Sequence, residues 1–270
     1  MSDSTTSTSL KEIFRFFFTG PEWRSRFLLG SVLLLASLLI PVLPGLVVAG
    51  YALRILRQAI QGEELRLPPW DDWGKLFLDG LRWTVLSIIF FLPGSLVIGI
   101  GVAGYLGGVF AGAAQETAEG FLAILAGMGV YLVGLAVGVL LLVLGAIPLP
   151  VAAAHFVAQG DLGAAFRVRE WWPLLKANKL GYLIAWVTVA GLYYVWSVVL
   201  LVLVYSIVLC CLVPFAVPPV AFYFSVFSAA LFGRMYRESR ALLAGADAAV
   251  EPPPALDTGI ARAEDEGTPL

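Results

Sequence analysis

The sequence predicts an all-α fold: a polytopic bundle of transmembrane helices with proline-broken and interfacial amphipathic pieces. Three observations carry this. The 270-residue chain is 60% hydrophobic and 13% charged, with a mean hydropathy of +0.89, too little charge to coat a soluble domain of that length. Whole stretches, 27–53, 83–115, 120–160 and 180–233, hold no Asp, Glu, Lys or Arg; they run to 27, 33, 41 and 54 residues, where one bilayer crossing takes about 20. Runs such as GVLLLVLGAI (138–147) do not alternate, so barrel strands are excluded. Helices are the other way to satisfy a backbone in hydrocarbon.

Residues 1–26 form a polar N-terminal arm. Within it Leu10, Ile13, Phe14, Phe17 and Phe18 share one helical face and Lys11, Glu12 and Arg15 the other, the pattern of an interfacial amphipathic helix. A cleavable signal peptide is the weaker reading, because PVLPG (41–45) separates the first apolar run from the small-residue VVAG. The integral membrane domain follows over 27–240, with membrane segments expected at about 27–53, 83–113, 121–147, 183–208 and 212–233. The prolines of PVLPG break the first segment. After it Arg54, Arg57 and Gln61 fall on one face and Leu53, Leu56 and Ile60 on the other, so a helix is expected to emerge along the interface.

The second and third segments carry glycines at a spacing of four: Gly104, Gly108 and Gly112, then Gly134 and Gly138. Small residues at that spacing let helix backbones approach closely in lipid, and these two segments are expected to pack as a hairpin. Pro148 and Pro150 break the chain again. The basic stretch DLGAAFRVREWW follows, with Trp171 and Trp172 placed for the headgroup belt. The next 54 charge-free residues are too long for one crossing, and CCLVPFAVPP divides them. Cys210 and Cys211 read as two small apolar residues of a buried helix. Residues 241–270 read as a disordered acidic tail. A weak internal repeat aligns Pro44, seven residues before Tyr51, with Pro148, seven before His155; Pro214 starts a third, truncated copy.

Basic residues mark the cytoplasmic side. Arg54, Arg57, Arg66, Lys75 and Arg82 lie in one linker, Arg167, Arg169, Lys176 and Lys179 in another, and Arg234, Arg237 and Arg240 near the C-terminus. This places the C-terminus in the cytoplasm of a multi-pass cell-membrane protein. Segment 27–53 has basic residues on both flanks, so either it is re-entrant or the N-terminal arm is outside; the re-entrant reading is preferred.

No ionisable carboxylate or base falls inside an expected span, and HExxH, GxSxG and GxxxxGK are absent. His155, the one histidine, has no acid beside it in sequence. No catalytic residue, cofactor or metal is expected, and no nucleic-acid partner; the partners are the lipid bilayer and a protein partner or a second copy. The polar exception is LPPWDDWGKLFLDG (67–80). Its prolines stop one helix and Asp71 or Asp72 caps the next. Lys75 stands four residues from Asp71 and from Asp79, placed to bridge both. Trp70, Asp71, Asp72, Trp73, Lys75 and Asp79 are therefore the candidate interfacial or partner-contact residues.

Residues 44–81, PGLVVAGYALRILRQAIQGEELRLPPWDDWGKLFLDGL, resemble the signature of a prokaryotic membrane-protein family of unknown function, DUF4013. The shared elements are the Gly-Tyr, the basic helix, the Leu-Pro-x-Trp-Asp-Asp-Trp turn and the Phe-x-Asp-Gly-Leu start. GAAFRVREWWPLLKANKLGYL is similar too. The resemblance implies a multi-pass protein and carries no activity. The expected function is a non-enzymatic structural or partner-binding membrane component. The alternative is a transporter or channel for a small or apolar solute. A lipid enzyme using Asp71, Asp72 or His155 ranks third.

Overall fold

Pro41 and Pro44 turn the first membrane segment into a helical hairpin. The computed structural model describes residues 20, 22–113, 117–206 and 209–250; the expected amphipathic helix of residues 10–18 lies outside them. Helix α1 (Trp23–Ala36) stops at a turn over 37–42, and α2 (Leu43–Gln61) leaves with Pro44 in its first turn. The corner is a γ-turn at Val42 (φ 80°, ψ −58°), closed by Leu43 N–H on the Pro41 carbonyl (3.1 Å). The two ends of the hairpin meet. The Arg26 guanidinium donates to the Leu67 carbonyl (2.5 Å), and the Trp70 indole donates to the Arg26 carbonyl (3.0 Å). With 14 residues, α1 rises only about 21 Å, short of a hydrocarbon core of about 30 Å.

Six more helices follow: α3 (Trp73–Ala113), α4 (Ala118–Ala146), α5 (Leu149–Gln159), α6 (Val168–Ala177), α7 (Lys179–Tyr205) and α8 (Val213–Val250). The described residues contain no strand. The stretches Leu43–Gln61, Trp73–Ala113, Ala118–Gln159, Lys179–Tyr205 and Leu209–Gly245 are long and apolar enough to cross a membrane. The fold is all-α and multi-pass, as the composition indicates.

The core lies where α2, α5 and α8 meet. Tyr51 and Ile55 of α2, Val151 of α5, and Phe222 and Val226 of α8 are all fully buried. The alanine run 152–154 keeps α5 slim enough for its neighbours to close around it. By contrast α3, α4 and α7 turn Ile100, Phe110, Val133, Leu140, Val187 and Val202 outward, an apolar outer surface suited to lipid.

Residues Leu53 to Ala59, expected to emerge along the interface, instead continue α2 without a break. Leu53, Ile55, Leu56 and Ala59 are buried, and only the Arg54, Arg57 and Gln61 face is polar. Three tight contacts pull this helix inward. A Cβ on Gly50 would lie 1.8 Å from the Leu76 carbonyl oxygen, and one on Gly80 would lie 1.8 Å from that of Leu46, so α2 and α3 cross backbone on backbone. On the other side a Cβ on Gly233 of α8 would lie 2.5 Å from Ala59 Cβ.

The α3–α4 hairpin is glycine-lined, in steps of seven. Gly101 meets Gly134 and Gly108 meets Gly127, each Cβ position being 2.9–3.2 Å from the partner Cα. Gly94 faces Gly138, and Gly112 faces Gly120. Gly104, Gly108, Gly112, Gly134 and Gly138 all stand on this seam; the Gly104 carbonyl oxygen lies 2.9 Å from the Gly127 Cβ position, and a Cβ on Gly104 itself would meet the Val130 side chain (2.7 Å). Seven-residue steps keep one face on the partner in a shallow antiparallel crossing; the spacing of four picks out only part of it.

Both α2 and α5 end on a left-handed glycine, Gly62 (φ 77°) and Gly160 (φ 74°), whose N–H returns to a carbonyl four residues back. The first leads through the 63–72 turn into the long α3; the second leads through a 3-10 turn (Leu162–Phe166) and the short α6 into the long α7. By position in the helix, Pro44 matches Pro150, and Pro214 takes the same second place in α8; the register through Pro148 is off by two.

Helix α3 begins at Trp73, directly after Asp72, as the expected Asp71 or Asp72 cap implies, and so ten residues before the charge-free stretch. Two other placements differ from expectation. Helix α8 runs through 241 to Val250, so the first ten residues of the expected tail are helical; 251–270 lie outside the described residues. Cys210 and Cys211 are exposed on a short 3-10 turn (Leu209–Leu212) rather than inside a helix.

Candidate functional site at the charged end

The 67–80 turn lies where α2 ends and α3 begins, and Arg237 of α8 comes to 2.8 Å from the Cβ position of Gly62 beside it. Tyr51, buried in α2, donates its hydroxyl to the Pro68 carbonyl (2.9 Å) and stacks its ring on Trp70 (4.0 Å, 13°). Phe222 of α8 stands 5.7 Å from Tyr51 and 6.0 Å from Trp70. Pro68 and Pro69 have no N–H to satisfy, so the chain can run over this aromatic floor with its carbonyls taken by Tyr51 and Arg54.

The carboxylates are paired, but not with Lys75 as their spacing suggested. Asp71 accepts from Arg54 of α2, and this hydrogen bond holds its carboxyl below the usual carboxylate range. Asp79 is buried between Arg82 (3.3 Å) and Arg57 (3.8 Å). The Gly50–Gly80 crossing brings α2 close enough for its arginines to reach both acids, which leaves Lys75 exposed and in no ion pair among the described residues. Asp72 holds the capping position, its carbonyl accepting from Leu76 N–H (3.0 Å) at a φ of 50°. The six candidates thus divide. Trp70 and Asp79 pack inward, Asp71 is tied down, and Asp72, Trp73 and Lys75 face out.

Behind this turn lies a cavity of about 490 Å³. Arg26 and Trp23 of α1, Arg54, Arg57 and Gln58 of α2, Arg66 of the loop and Lys75 of α3 line it, with Glu63 the single acid on the wall among the described residues. The carboxylates that hold three of its arginines, those of Glu22, Asp71 and Asp79, do not line it.

His155 does have an acid partner, supplied from fifteen residues away by α6. Its Nε2 lies 2.9 Å from Glu170 and its Nδ1 lies 2.9 Å from the Tyr236 hydroxyl of α8. A carboxylate only accepts, so Nε2–H donates to Glu170, and Nδ1 pairs with the Tyr236 hydroxyl. Glu170 is further held by Arg167 (3.6 Å). Both ring nitrogens are occupied in joining α5, α6 and α8. A second cavity, apolar and about 440 Å³, opens between α2, α5 and α8, with Trp83, Pro150, Trp186 and Tyr193 on its wall.

Several of these partners are invisible to local spacing. Arg54, Arg57, Glu170 and Tyr236 are reached only through helix crossings. The Gly50 and Gly80 notches were legible only as letters of the family signature. A family model described as "Protein of unknown function (DUF4013)" matches residues 33–205, which include the 44–81 signature and end with α7. No curated protein and no solved structure matches the chain.

Proposed function

Because the chain belongs to the DUF4013 family, for which no function is established, we propose from its own geometry that it is a non-catalytic membrane component that docks a protein partner on its charged end. The observation that supports this is the division of labour in the signature. Gly50, Tyr51, Trp70, Asp79 and Gly80 are spent on fixing one turn, and Asp72, Trp73 and Lys75 are left outward on it. An aromatic flanked by charges on a rigid element is the composition of a contact hot spot. Asp71 and Asp79 are paired with arginine, and both nitrogens of His155 are engaged. The positive-inside bias puts this end, with the C-terminus, in the cytoplasm.

Photo-crosslinking in native membranes tests it. Benzoylphenylalanine at position 73 is expected to give one discrete protein adduct that is lost when Asp72 and Lys75 are exchanged in charge. Benzoylphenylalanine at Leu96, which faces outward on α3, is expected to give lipid adducts only. Lipid adducts alone at position 73 overturn the docking reading. The second reading, passage of an apolar solute, is favoured by the apolar cavity beside Pro150. Proteoliposome flux above that of empty vesicles would establish it.

A further inference from the structure

We propose that the basic cavity is a binding site for the phosphate headgroup of an anionic phospholipid drawn from the adjoining leaflet. This concerns the interior of the cavity and stands whether or not a protein docks on Trp73.

The first argument is charge. Among the described residues, five cations and one acid line the wall. Arg26, Arg54 and Arg57 are held from behind by Glu22, Asp71 and Asp79, which are themselves off the wall. Their side chains are only 20–32% exposed, so the guanidinium groups are positioned rather than free. Such a fork suits the oxygens of a phosphate. Arg66 and Lys75 join no ion pair among the described residues, so the wall keeps cationic capacity that no internal carboxylate absorbs.

The second argument is depth. Arg26 immediately precedes the charge-free stretch 27–53, and Arg54 immediately follows it. The hairpin brings both to one cavity, so its floor lies where apolar chain gives way to charge. That is the level of lipid headgroups, and basic pockets at this level between membrane helices are suited to anionic ones. Trp23 on the wall adds an aromatic of the kind found at that depth. The volume, about 490 Å³, falls within the range of ligand sites, roughly 300–1,000 Å³. A soluble phosphate shares the chemistry of the headgroup but not its depth, and depth favours the lipid.

The test uses the full chain in a neutral detergent. Phosphatidylglycerol, phosphatidylcholine and inorganic phosphate are each titrated while the thermal unfolding midpoint is read, and retained lipid is counted by native mass spectrometry. Phosphatidylglycerol is expected to raise the midpoint and be retained, with the other two inert. The Arg66→Gln/Lys75→Gln variant is expected to bind phosphatidylglycerol at least roughly tenfold more weakly, with its lipid-free midpoint unchanged, and Arg66→Lys to bind normally. Should the double variant misfold, Arg66→Gln alone is read, since Arg66 sits on the exposed loop. Equal response to phosphatidylcholine, full reproduction by inorganic phosphate, or wild-type binding by a folded variant overturns the proposal.

Discussion

Replacing Gly50 by alanine should be the most damaging single-methyl addition in the molecule, together with its twin at Gly80. The new Cβ would sit 1.8 Å from the Leu76 carbonyl oxygen, 2.6 Å from its carbon and 2.9 Å from its Cα, against 3.4 Å or more for ordinary contact. The obstruction is backbone, fixed in the hydrogen-bond ladder of α3, so no side chain can swing away. The helices must part by about 1.5 Å, which strains the Arg57–Asp79 pair and the Tyr51–Pro68 hydrogen bond on either side. Overpacking costs typically about 1–3 kcal/mol, and a backbone-on-backbone clash belongs at or above the top of that range. Gly107→Ala, with nothing within 4 Å of its Cβ position, is the control; it should be neutral or gain roughly 0.5–1 kcal/mol of helix propensity. Unfolding of the purified proteins in one detergent, followed by tryptophan fluorescence, compares them. Because one separation relieves both clashes, Gly50→Ala/Gly80→Ala should cost less than the sum of the single changes. If Gly50→Ala unfolds within about 0.5 kcal/mol of wild type, a scale on which uncoupled changes add, the close crossing of α2 and α3 is refuted.

The other expectations can be read in the same assay. Val42→Gly should stabilise by about 1 kcal/mol, since a β-branched residue at φ 80° carries strain of order 1–3 kcal/mol and glycine gives some of that back in entropy; destabilisation would contradict the γ-turn. His155→Phe leaves the buried Tyr236 hydroxyl without its hydrogen-bond partner and should cost about 1–3 kcal/mol, where an unchanged midpoint would mean that the histidine joins nothing. Gly108→Ala, which meets the Ala123 carbonyl oxygen at 2.6 Å, should cost more than Gly104→Ala, which meets a movable Val130 side chain; the reverse order would misplace the α3–α4 seam. The Asp71 carboxyl titrates below its unfolded value, so its contribution is complete above about pH 4 and is lost as pH falls through the folded pKa. The difference between wild type and Asp71→Asn should therefore be flat from pH 5 to 8, and a slope within that window would refute the Arg54 pairing.

The sequence alone carries the fold class here because hydrocarbon imposes it. Charge-free runs of 27 to 54 residues have few other uses, and glycine and proline mark where helices touch and break. What spacing within one helix cannot carry is which helices cross. Lys75 sits at the right interval for both Asp71 and Asp79, yet arginines from α2 take them, because the crossing at Gly50 and Gly80 overrides a pairing along one helix face. His155 has no acid beside it in sequence because Glu170 arrives through the turn and α6. Arg54 and Arg57 read as the wet face of an interfacial helix; they are the polar side of a helix whose other side is core. The glycines stand out at a spacing of four, and the seam adds Gly94, Gly101, Gly120 and Gly127 in steps of seven, since two shallowly crossed helices return to contact every second turn.

All the functional readings depend on the α1–α2 hairpin bringing its two basic ends to one side of the membrane. Single cysteines at Ser25 and Gln61, in a chain whose native Cys210 and Cys211 are changed to serine, can be probed with an impermeant maleimide in sealed vesicles of known orientation. Ser25 and Gln61 are both exposed. A hairpin predicts that both are labelled from the same side, and that Cys210 and Cys211 of the unsubstituted chain, on the turn between α7 and α8, are labelled from the opposite side. Labelling of positions 25 and 61 from opposite sides would mean that the segment crosses the membrane, and the basic cavity and the docking edge would fall with the hairpin.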